Sequence, residues 1–279
     1  MKRCLVLCGA GIYGATLIGA LYKKAIDTRN LRIIAGTSVG AIIGTLLIIG
    51  YEPLDILKEL LECLPLATVE AFELEACGRF GVLSQQHLSD TLRRLILKKL
   101  AKIPTFQELY DRFQTDLIVT GTCVSQHKGV YFHRHANPDM CVHQALLITS
   151  CVPLLFPYVE FDQEKYVDGF ITDNFPLRYA LDFAKTHVSD ELHTDGFVIN
   201  YANIEEPSSH QSPDFNAYVA TLFRLFTNQL GAVSVHQDQV SDPNTDVHVL
   251  HPTRSVHILT PDRSDVFALF SESAKGAIT

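Results

Sequence analysis

The sequence predicts an α/β fold with a mostly parallel central sheet that is covered by helices on both faces. Two runs, near 3–8 and 31–36, are apolar at almost every position, which is typical of parallel strands buried on both sides. A helix-length segment follows each run, near 14–26 and 39–50, so the chain opens with a β-α-β-α pattern. With 279 residues and 47% hydrophobic content the chain can bury a large core, and we expect one domain over residues 1–279.

The rest of the chain continues to alternate between strand and helix patterns. The helix over 105–113 begins with the capping-box pattern Thr105-x-x-Glu108. Periodicity fades over 64–83 and 203–214, where a cover over a functional site would fit. The other predicted elements are helices over 53–62, 84–101, 142–149, 214–232 and 262–275, strands over 116–123, 129–134, 197–201 and 247–250, and a hairpin with arms 158–161 and 165–167.

Charge and cysteine content exclude two classes of protein. A net charge of -8 argues against a nucleic-acid partner, since phosphate backbones attract concentrated basic surfaces. The seven cysteines are odd in number, scattered and without a C-x-x-C pair, so they predict neither a disulfide framework nor a thiolate zinc site. We therefore expect a reducing, cytoplasmic location.

His133 and His135 alternate along a predicted strand, but a polar strand face is favoured over a metal pair because no third ligand follows.

Two uncharged stretches of 19 residues, Cys4 to Tyr22 and Ile33 to Tyr51, are long enough to cross a bilayer. Each contains several glycines and divides into a β-rich piece and a helical piece, which favours buried strands with crossover helices over a membrane hairpin. Met1-Lys2-Arg3 before an apolar run imitates a signal peptide, but no clear small-x-small cleavage site follows. We expect no stable transmembrane span.

The pentapeptide Gly36-Thr37-Ser38-Val39-Gly40 lies where the second strand meets the following helix, and this placement predicts a nucleophile elbow. A sharp strand-to-helix turn brings backbone segments together, so Gly36 and Gly40 fit the two positions that lack room for a Cβ. Ser38 would then project from the tip of the turn, beside the positive end of the helix dipole. A tight turn with a solvent-facing serine is the alternative.

The first strand ends in a glycine-rich loop, Gly9-Ala10-Gly11-Ile12-Tyr13-Gly14, that presents backbone N–H groups at a helix N-terminus. A dinucleotide site would need an acidic residue near the end of the second strand, and none is present at residues 32–36. An oxyanion hole beside Ser38 needs no such residue. We therefore favour acyl transfer over nucleotide binding, with the N–H groups of Gly9, Ala10, Gly11 and Ile12 as the hole.

A serine hydroxyl needs a base, and Asp168 is a candidate because it ends the strand-like run Lys165-Tyr166-Val167-Asp168-Gly169. Asp-Gly is also a common turn dipeptide, so a turn-forming role stays open from the residues alone. Asp173-Asn174-Phe175-Pro176, just beyond, indicates turn and helix-capping chemistry.

Taken together, these segments resemble the patatin-like phospholipase family in order and spacing, over at least residues 3–180. The matching motifs are Gly9-Ala10-Gly11-Ile12-Tyr13-Gly14, Gly36-Thr37-Ser38-Val39-Gly40, Ser150-Cys151-Val152-Pro153 with Phe156-Pro157, Tyr166-Val167-Asp168-Gly169, and Asp173-Asn174-Phe175-Pro176-Leu177. The resemblance implies a three-layer α/β/α fold and hydrolysis of acyl esters of membrane lipids. It also implies Ser38 as nucleophile, Asp168 as general base and the 9–14 loop as oxyanion hole, without a catalytic histidine.

Three residues depart from the family pattern. Ala10 replaces a usual glycine, Tyr13 replaces a basic residue, and Phe170 follows the Asp-Gly pair where a small residue is common. Alanine keeps its N–H, so the hole survives unless position 10 requires a positive φ. The loss of positive charge at Tyr13 bears on the rate and on the preference for anionic headgroups.

The hypothesis is therefore a phospholipase A or lysophospholipase type of hydrolase that acts on a lipid or membrane-surface substrate through an acyl-enzyme. It needs no metal or cofactor, and we expect a cytoplasmic protein that contacts membranes transiently. Two alternatives remain. One is an inactive lipid- or nucleotide-binding module. The other is an esterase with a Ser-His-Asp triad that draws its histidine from His236, His248, His251 or His257.

Overall fold

The computed structural model describes residues 2–62, 80–81, 83–189, 191–201, 204, 242–254, 256 and 261–276. Its strands are β1 Lys2–Leu7, β2 Leu31–Gly36, β3 Asp116–Cys123, β4 Lys128–Phe132, β5 Val159–Phe161, β6 Glu164–Asp168, β7 Leu192–Ile199 and β8 Thr245–Leu250. They form one sheet in the order β5-β6-β3-β2-β1-β7-β8, with β4 paired to β3 beside this path.

Helices flank this sheet, and the predicted three-layer α/β/α architecture is confirmed. A close approach between two of the covering helices occurs at Gly19, where a Cβ would lie 2.4 Å from the Phe270 carbonyl oxygen. The described α-helices are α1 Gly14–Lys24, α2 Val39–Ile48, α3 Pro53–Glu62, α4 Gln86–Lys99, α5 Phe106–Phe113, α6 Val142–Thr149, α7 Leu177–His187 and α8 Arg263–Lys275.

The centre of the sheet is parallel, as the apolar runs predict. Strand β1 pairs in parallel with β2 on one side and with β7 on the other, and the β2–β3 and β7–β8 pairs are parallel too. Residues 4–7 of β1 and 33–36 of β2 are buried, in keeping with strands covered on both faces. The pairs β3–β4, β3–β6 and β5–β6 are antiparallel and form one end of the sheet.

Strands β2 and β6 share one edge of β3, and this arrangement positions the candidate site. Residues 121–123 of β3 pair with both β4 and β6, and Val119 pairs with both β4 and β2. Since a strand has two edges, β2 and β6 must follow one another along the edge opposite β4. The carboxyl end of β2 therefore faces the carboxyl end of β6, where Asp168 pairs with Gly121.

The two uncharged 19-residue stretches divide as predicted, into β1 with α1 and β2 with α2. Within the described ranges, no helix combines the length and apolar character needed to cross a bilayer. Thr105 and Glu108 form the predicted capping box at the start of α5.

Several predicted boundaries differ from the structure. Strand β7 begins at Leu192 instead of 197, and α7 was not predicted, although Leu177, Ala180 and Leu181 give it a buried helical stripe. Strand β4 ends at Phe132, so His133 and His135 lie beyond it. The predicted helix over 214–232 and most of the weak segments 64–83 and 203–214 lie outside the described residues.

Candidate active site

Ser38 lies at a strained turn between β2 and α2, as the elbow motif predicts. Its backbone has φ 53° and ψ -126°, a conformation that non-glycine residues rarely adopt outside functional sites. A Cβ at Gly36 would lie 2.6 Å from the Ala41 nitrogen, and one at Gly40 would lie 2.5 Å from the Cys8 carbonyl oxygen. Only glycine fits at either position, so both predicted elbow glycines have a steric reason.

Hydrogen bonds hold the elbow in this conformation. The Ser38 N–H donates to Thr149 Oγ1 at 2.8 Å, and the Ser38 carbonyl accepts from the Ala41 N–H at 3.0 Å, within the first turn of α2. The Thr37 N–H donates to the Leu7 carbonyl at 3.3 Å, which joins the elbow to the end of β1. The side-chain hydroxyl of Ser38 takes no part in these bonds.

Asp168 ends β6 and is fully buried. Its Oδ1 accepts the Phe170 N–H at 3.0 Å, its own N–H donates to the Cys151 carbonyl at 2.8 Å, and its carbonyl accepts from Thr122 Oγ1 at 2.9 Å. Its neighbour Gly169 is tightly packed, since a Cβ there would lie 2.6 Å from the Thr120 carbonyl oxygen. Oδ1 of Asp168 thus has the turn-forming role expected of an Asp-Gly pair. Oδ2 has no hydrogen-bond partner among the described residues.

Asp168 and Ser38 interact across the site. Burial raises the pKa of Asp168 from 3.8 to about 7, while the Phe170 N–H and the Ser38 hydroxyl both lower it. The hydroxyl is thus close enough to influence the carboxyl, yet Oδ2 accepts no hydrogen bond of normal geometry from the described residues. The structure brings the two predicted residues together, with a buried carboxyl oxygen beside a serine hydroxyl.

The glycine-rich loop leads from β1 into α1 through a short 3₁₀ turn, Gly11–Tyr13. Ala10 has φ -148°, which any residue adopts, while Gly11 has φ 51°, so the glycine requirement falls on Gly11 and alanine is tolerated at 10. Among the described residues, no acceptor is found for the N–H groups of Ala10, Gly11 and Ile12. These three amides are available to bind an anion.

Gly9 differs from the other predicted donors and corrects the prediction for that residue. Its N–H donates to the Asn174 carbonyl at 3.0 Å and is not available to an oxyanion. A Cβ at Gly9 would lie 2.5 Å from Asn174 Oδ1 and 3.3 Å from Ser38 Cβ. Gly9 is therefore needed for close packing of the loop against the elbow.

The segment Asp173–Asn174 supports both loops, a role that sequence reasoning missed. Asn174 Nδ2 donates to the Gly9 carbonyl at 3.1 Å, and the Asp173 carbonyl accepts from Thr37 Oγ1 at 2.9 Å. Asp173 Oδ1 accepts the Phe175 N–H, as expected of a turn, and Oδ2 accepts from the Tyr131 hydroxyl at 2.7 Å. The only sequence signal was the polar pair between β6 and α7.

An apolar cavity of about 220 Å³ opens beside these groups. Gly11, Ile12 and Ser38 all line it, so the candidate nucleophile and two residues with unpaired amides border one space. Its apolar walls come mainly from α2, α3 and α4 and include Ile42, Leu46, Ile56, Leu88, Leu92 and Leu95. Such a space accepts a hydrocarbon chain far better than a charged group.

Tyr13 does not place a charge in this cavity. Its ring is buried and packs edge-to-face on Tyr201 at 5.3 Å, and its hydroxyl donates to the Arg254 carbonyl at 3.3 Å. The residue that replaces the family's usual basic side chain is therefore part of the core.

Among the described residues no histidine is hydrogen-bonded to Ser38, although His87 lines the same cavity. His248 faces Asp195 with its Nε2 3.5 Å from Oδ1, and His236 and His257 lie outside the described residues. His133 and His135 acquire a histidine neighbour in His187, which stacks on His135 at 3.9 Å, but His133 Nε2 pairs with the Tyr179 hydroxyl. His133 and His135 thus belong to a packed aromatic cluster beyond the end of β4.

Comparison with known proteins agrees with the fold and with the family resemblance. The sequence profile described as "Patatin-like phospholipase" matches residues 5–181. The chain is 29% identical over 185 residues to "Probable lipid hydrolase 463L" of Invertebrate iridescent virus 6, covering 65% of this chain and 64% of that protein. It is 26% identical over 270 residues to "Triacylglycerol lipase ptl3" of Schizosaccharomyces pombe, covering 84% and 54%.

Among solved structures, VipD from Legionella pneumophila superposes with a TM-score of 0.53 at 15% identity, covering 98% of this chain and 67% of VipD. This likeness concerns the fold alone. The fold and the comparisons define an α/β protein related to lipid hydrolases. Since the family profile covers more than half of the sequence, the chain belongs to the patatin-like phospholipase family. It spans less than two thirds of the length of the viral and yeast relatives.

Proposed function

We propose that this protein hydrolyses carboxylic esters of lipids, with Ser38 as nucleophile and Asp168 as general base. The observation that carries the proposal is the pairing of a strained, cavity-facing serine with a fully buried carboxyl whose pKa is raised to about 7. A carboxylate is ordinarily too weak a base for a serine hydroxyl, and burial strengthens it by disfavouring its charged form.

In the first step, Asp168 Oδ2 takes the Ser38 hydroxyl proton as the oxygen attacks the ester carbonyl carbon. The negative charge that develops on the carbonyl oxygen is stabilised by the N–H groups of Ala10, Gly11 and Ile12. Collapse of this intermediate releases the alcohol, which receives the proton from Asp168, and leaves an acyl-enzyme on Ser38. Asp168 then takes a proton from water as the water oxygen attacks the acyl carbon. Collapse of this second intermediate releases the fatty acid, and Asp168 returns the proton to the departing Ser38 oxygen.

The cavity supports a lipid acyl chain as the substrate portion nearest to Ser38. Its apolar walls contrast with the one buried carboxylate that lines it, Glu59, which is paired with Arg94 at 2.9 Å and Lys98 at 2.5 Å. Neutralised in this way, Glu59 does not oppose an apolar ligand. We propose a phospholipase A or lysophospholipase type of substrate, in which the headgroup points away from the cavity.

The mouth of the cavity supports approach to a lipid surface. Leu155 and Leu83, which line the cavity, are joined by a backbone hydrogen bond of 2.8 Å. Close to them in sequence, Leu154 and Phe80 are large apolar residues that are 68% and 73% exposed. With a chain of net charge -8, apolar insertion explains docking better than attraction to anionic headgroups.

Turnover of a chromogenic medium-chain ester by the Ser38→Ala variant tests the proposal. We expect loss of at least about three orders of magnitude in kcat, because the covalent route is removed. Ser125→Ala is the matched control, since Ser125 accepts the Lys165 N–H at the opposite end of the β5–β6 hairpin from Asp168. Equal rates in wild type and Ser38→Ala would reject the nucleophile, and absence of turnover in wild type would support a binding module instead.

A further inference from the structure

A second cluster of chemically active side chains lies away from the candidate active site, on strands β7 and β8. His193 and Asp195 alternate along β7, and Asp246 and His248 alternate along β8. The strands are parallel, with Asp195 paired to Asp246, so the four side chains lie on one face of this strand pair. Ser38 follows the carboxyl end of its strand, whereas His193, Asp195 and Asp246 lie in the amino-terminal halves of β7 and β8.

From this arrangement we propose a binding site for a divalent transition metal, zinc in the first instance. The ligands are His193 Nε2, Asp195 Oδ1 and Asp246 Oδ2, and one ligand atom from each of these three residues can be chosen so that all lie within 4.8 Å of one another. Two imidazoles in reach of the site favour zinc over magnesium or calcium, which prefer shells of oxygen alone.

The distances between the candidate ligand atoms are compatible with a metal site. His193 Nε2 lies 3.3 Å from Asp246 Oδ2 and 3.7 Å from Asp195 Oδ1, and His248 Nε2 lies 3.5 Å from the same Oδ1. These separations exceed the usual 2.7–3.2 Å of an N–H···O hydrogen bond. In a tetrahedral zinc site with bonds of about 2.0–2.1 Å, neighbouring ligand atoms lie about 3.3–3.4 Å apart.

A second observation comes from His248, which is not one of the three ligands. The His248 side chain is nine-tenths buried, and its Nε2 has no hydrogen-bond partner among the described residues although it faces Asp195 Oδ1. A buried ring nitrogen without a partner costs free energy unless a ligand or water satisfies it. His248 would either complete the shell after a small shift or bond to a ligand of the ion.

Arg3 prepares Asp195 for this role. The Arg3 guanidinium donates two hydrogen bonds to Asp195 Oδ2, one from Nε at 2.9 Å and one from Nη2. The other carboxyl oxygen, Oδ1, faces the histidines. Two carboxylates against one guanidinium leave the cluster negative when the histidines are neutral, which favours a cation.

A metal here would join β8 to the rest of the sheet. Strand β8 is the last in the described strand order and pairs with β7 alone along that order. Because the ligands come from both strands, an ion would link them at the level of Asp195 and Asp246. The site is independent of the proposed hydrolysis and would act on stability.

Isothermal titration of the chelator-treated full chain with zinc chloride tests this proposal, with magnesium chloride as the comparison. We expect one zinc ion per wild-type chain, and at least about tenfold weaker binding in Asp246→Asn and His193→Gln. Asp246 is exposed, so its replacement leaves the core intact, and a thermal melt in chelator checks each variant. His187→Gln is the matched control, because His187 is an exposed histidine in another cluster.

Zinc should also raise the melting temperature of wild type and of Ser38→Ala equally, which separates this site from the catalytic proposal. A wild-type chain that takes up no zinc would overturn the site. So would variants at Asp246 and His193 that both bind zinc as wild type does, or a His187→Gln variant that loses binding to the same extent as they do.

Discussion

Asp168 and Asp195 are both buried aspartates in the same sheet, yet the pKa values of their carboxyls are shifted in opposite directions. Asp195 contacts Arg3 and His248, and its pKa is lowered. Asp168 has no cationic partner among the described residues, and burial raises its pKa to about 7. The charged groups around a buried carboxyl, more than burial itself, thus separate a residue suited to proton transfer from one suited to a structural contact.

The largest difference between the two aspartates should appear in turnover. Asp168→Asn keeps the shape of the side chain and removes the base, so we expect kcat on a chromogenic ester to fall by roughly 10²–10⁴-fold. Asp195→Asn, measured on folded protein, should retain most of the activity because Asp195 lies outside the cavity. Similar losses in the two variants would mean that Asp168 acts only through folding.

For stability we expect the opposite order, with the larger loss in Asp195→Asn. Asp195→Asn leaves the Arg3 guanidinium, which is about one third exposed, without its carboxylate, and we expect a loss of about 1–3 kcal/mol in the free energy of unfolding at pH 8. Denaturant melts in the presence of a chelator measure this without a contribution from bound metal. A melt that matches wild type would show that the Arg3–Asp195 pair is not needed.

Asp168→Asn should affect stability in the opposite sense. The folded-state pKa of Asp168 is raised, so the wild type loses stability as pH rises from about 4 to about 7, where a buried charge forms. The asparagine variant has no such charge and should gain up to a few kcal/mol over wild type at pH 8 but not at pH 4. Parallel stability curves of wild type and variant over this range would argue against a raised pKa.

The glycine-rich loop offers a contrast of its own between neighbouring residues. Gly9→Ala introduces a Cβ 2.5 Å from Asn174 Oδ1, and the resulting displacement of the loop should lower turnover by about a hundredfold. Ala10→Gly is the control and should stay near wild type, since φ at Ala10 is open to any residue. Were Ala10→Gly the more damaging change, our account of the loop would be wrong.

A smaller effect is expected at the cavity mouth. Leu154→Ser should weaken binding to phosphatidylcholine vesicles by roughly ten- to a hundredfold, because burial of one leucine side chain contributes about 1.5–3 kcal/mol. Phe267→Ser provides a control at another exposed apolar residue, on α8. Cosedimentation with the vesicles measures the bound fraction of each variant. If Leu154→Ser and Phe267→Ser weakened binding equally, Leu154 would have no special part in docking.

How much of this could be predicted from sequence depends on the range of the interactions involved. The apolar runs of β1 and β2 predict a parallel core because burial on both faces leaves a local pattern. Gly36 and Gly40 predict the elbow for a similar reason, since the steric demand comes from the turn itself and from the adjacent strand end. For Asp168 the residues alone left a turn as an alternative, and the family resemblance was needed to favour a base.

The supporting contacts could not be predicted, since they join distant segments. Thr149 accepts from Ser38 across 111 residues, and Asn174 donates to Gly9 across 165. No local periodicity encodes such pairs. For the same reason Gly9 was predicted as a donor, when its N–H is bonded to a residue brought near only by folding.

The most direct test of the central claim is the rate at which a fluorophosphonate probe labels Ser38 as a function of pH. If Asp168 is the base, labelling of wild type should rise with pH through a midpoint near 7, as the buried carboxyl ionises. Asp168→Asn should label slowly and without that midpoint, and Ser38→Ala should not label. Wild-type and Asp168→Asn rates that coincide at every pH would contradict the account.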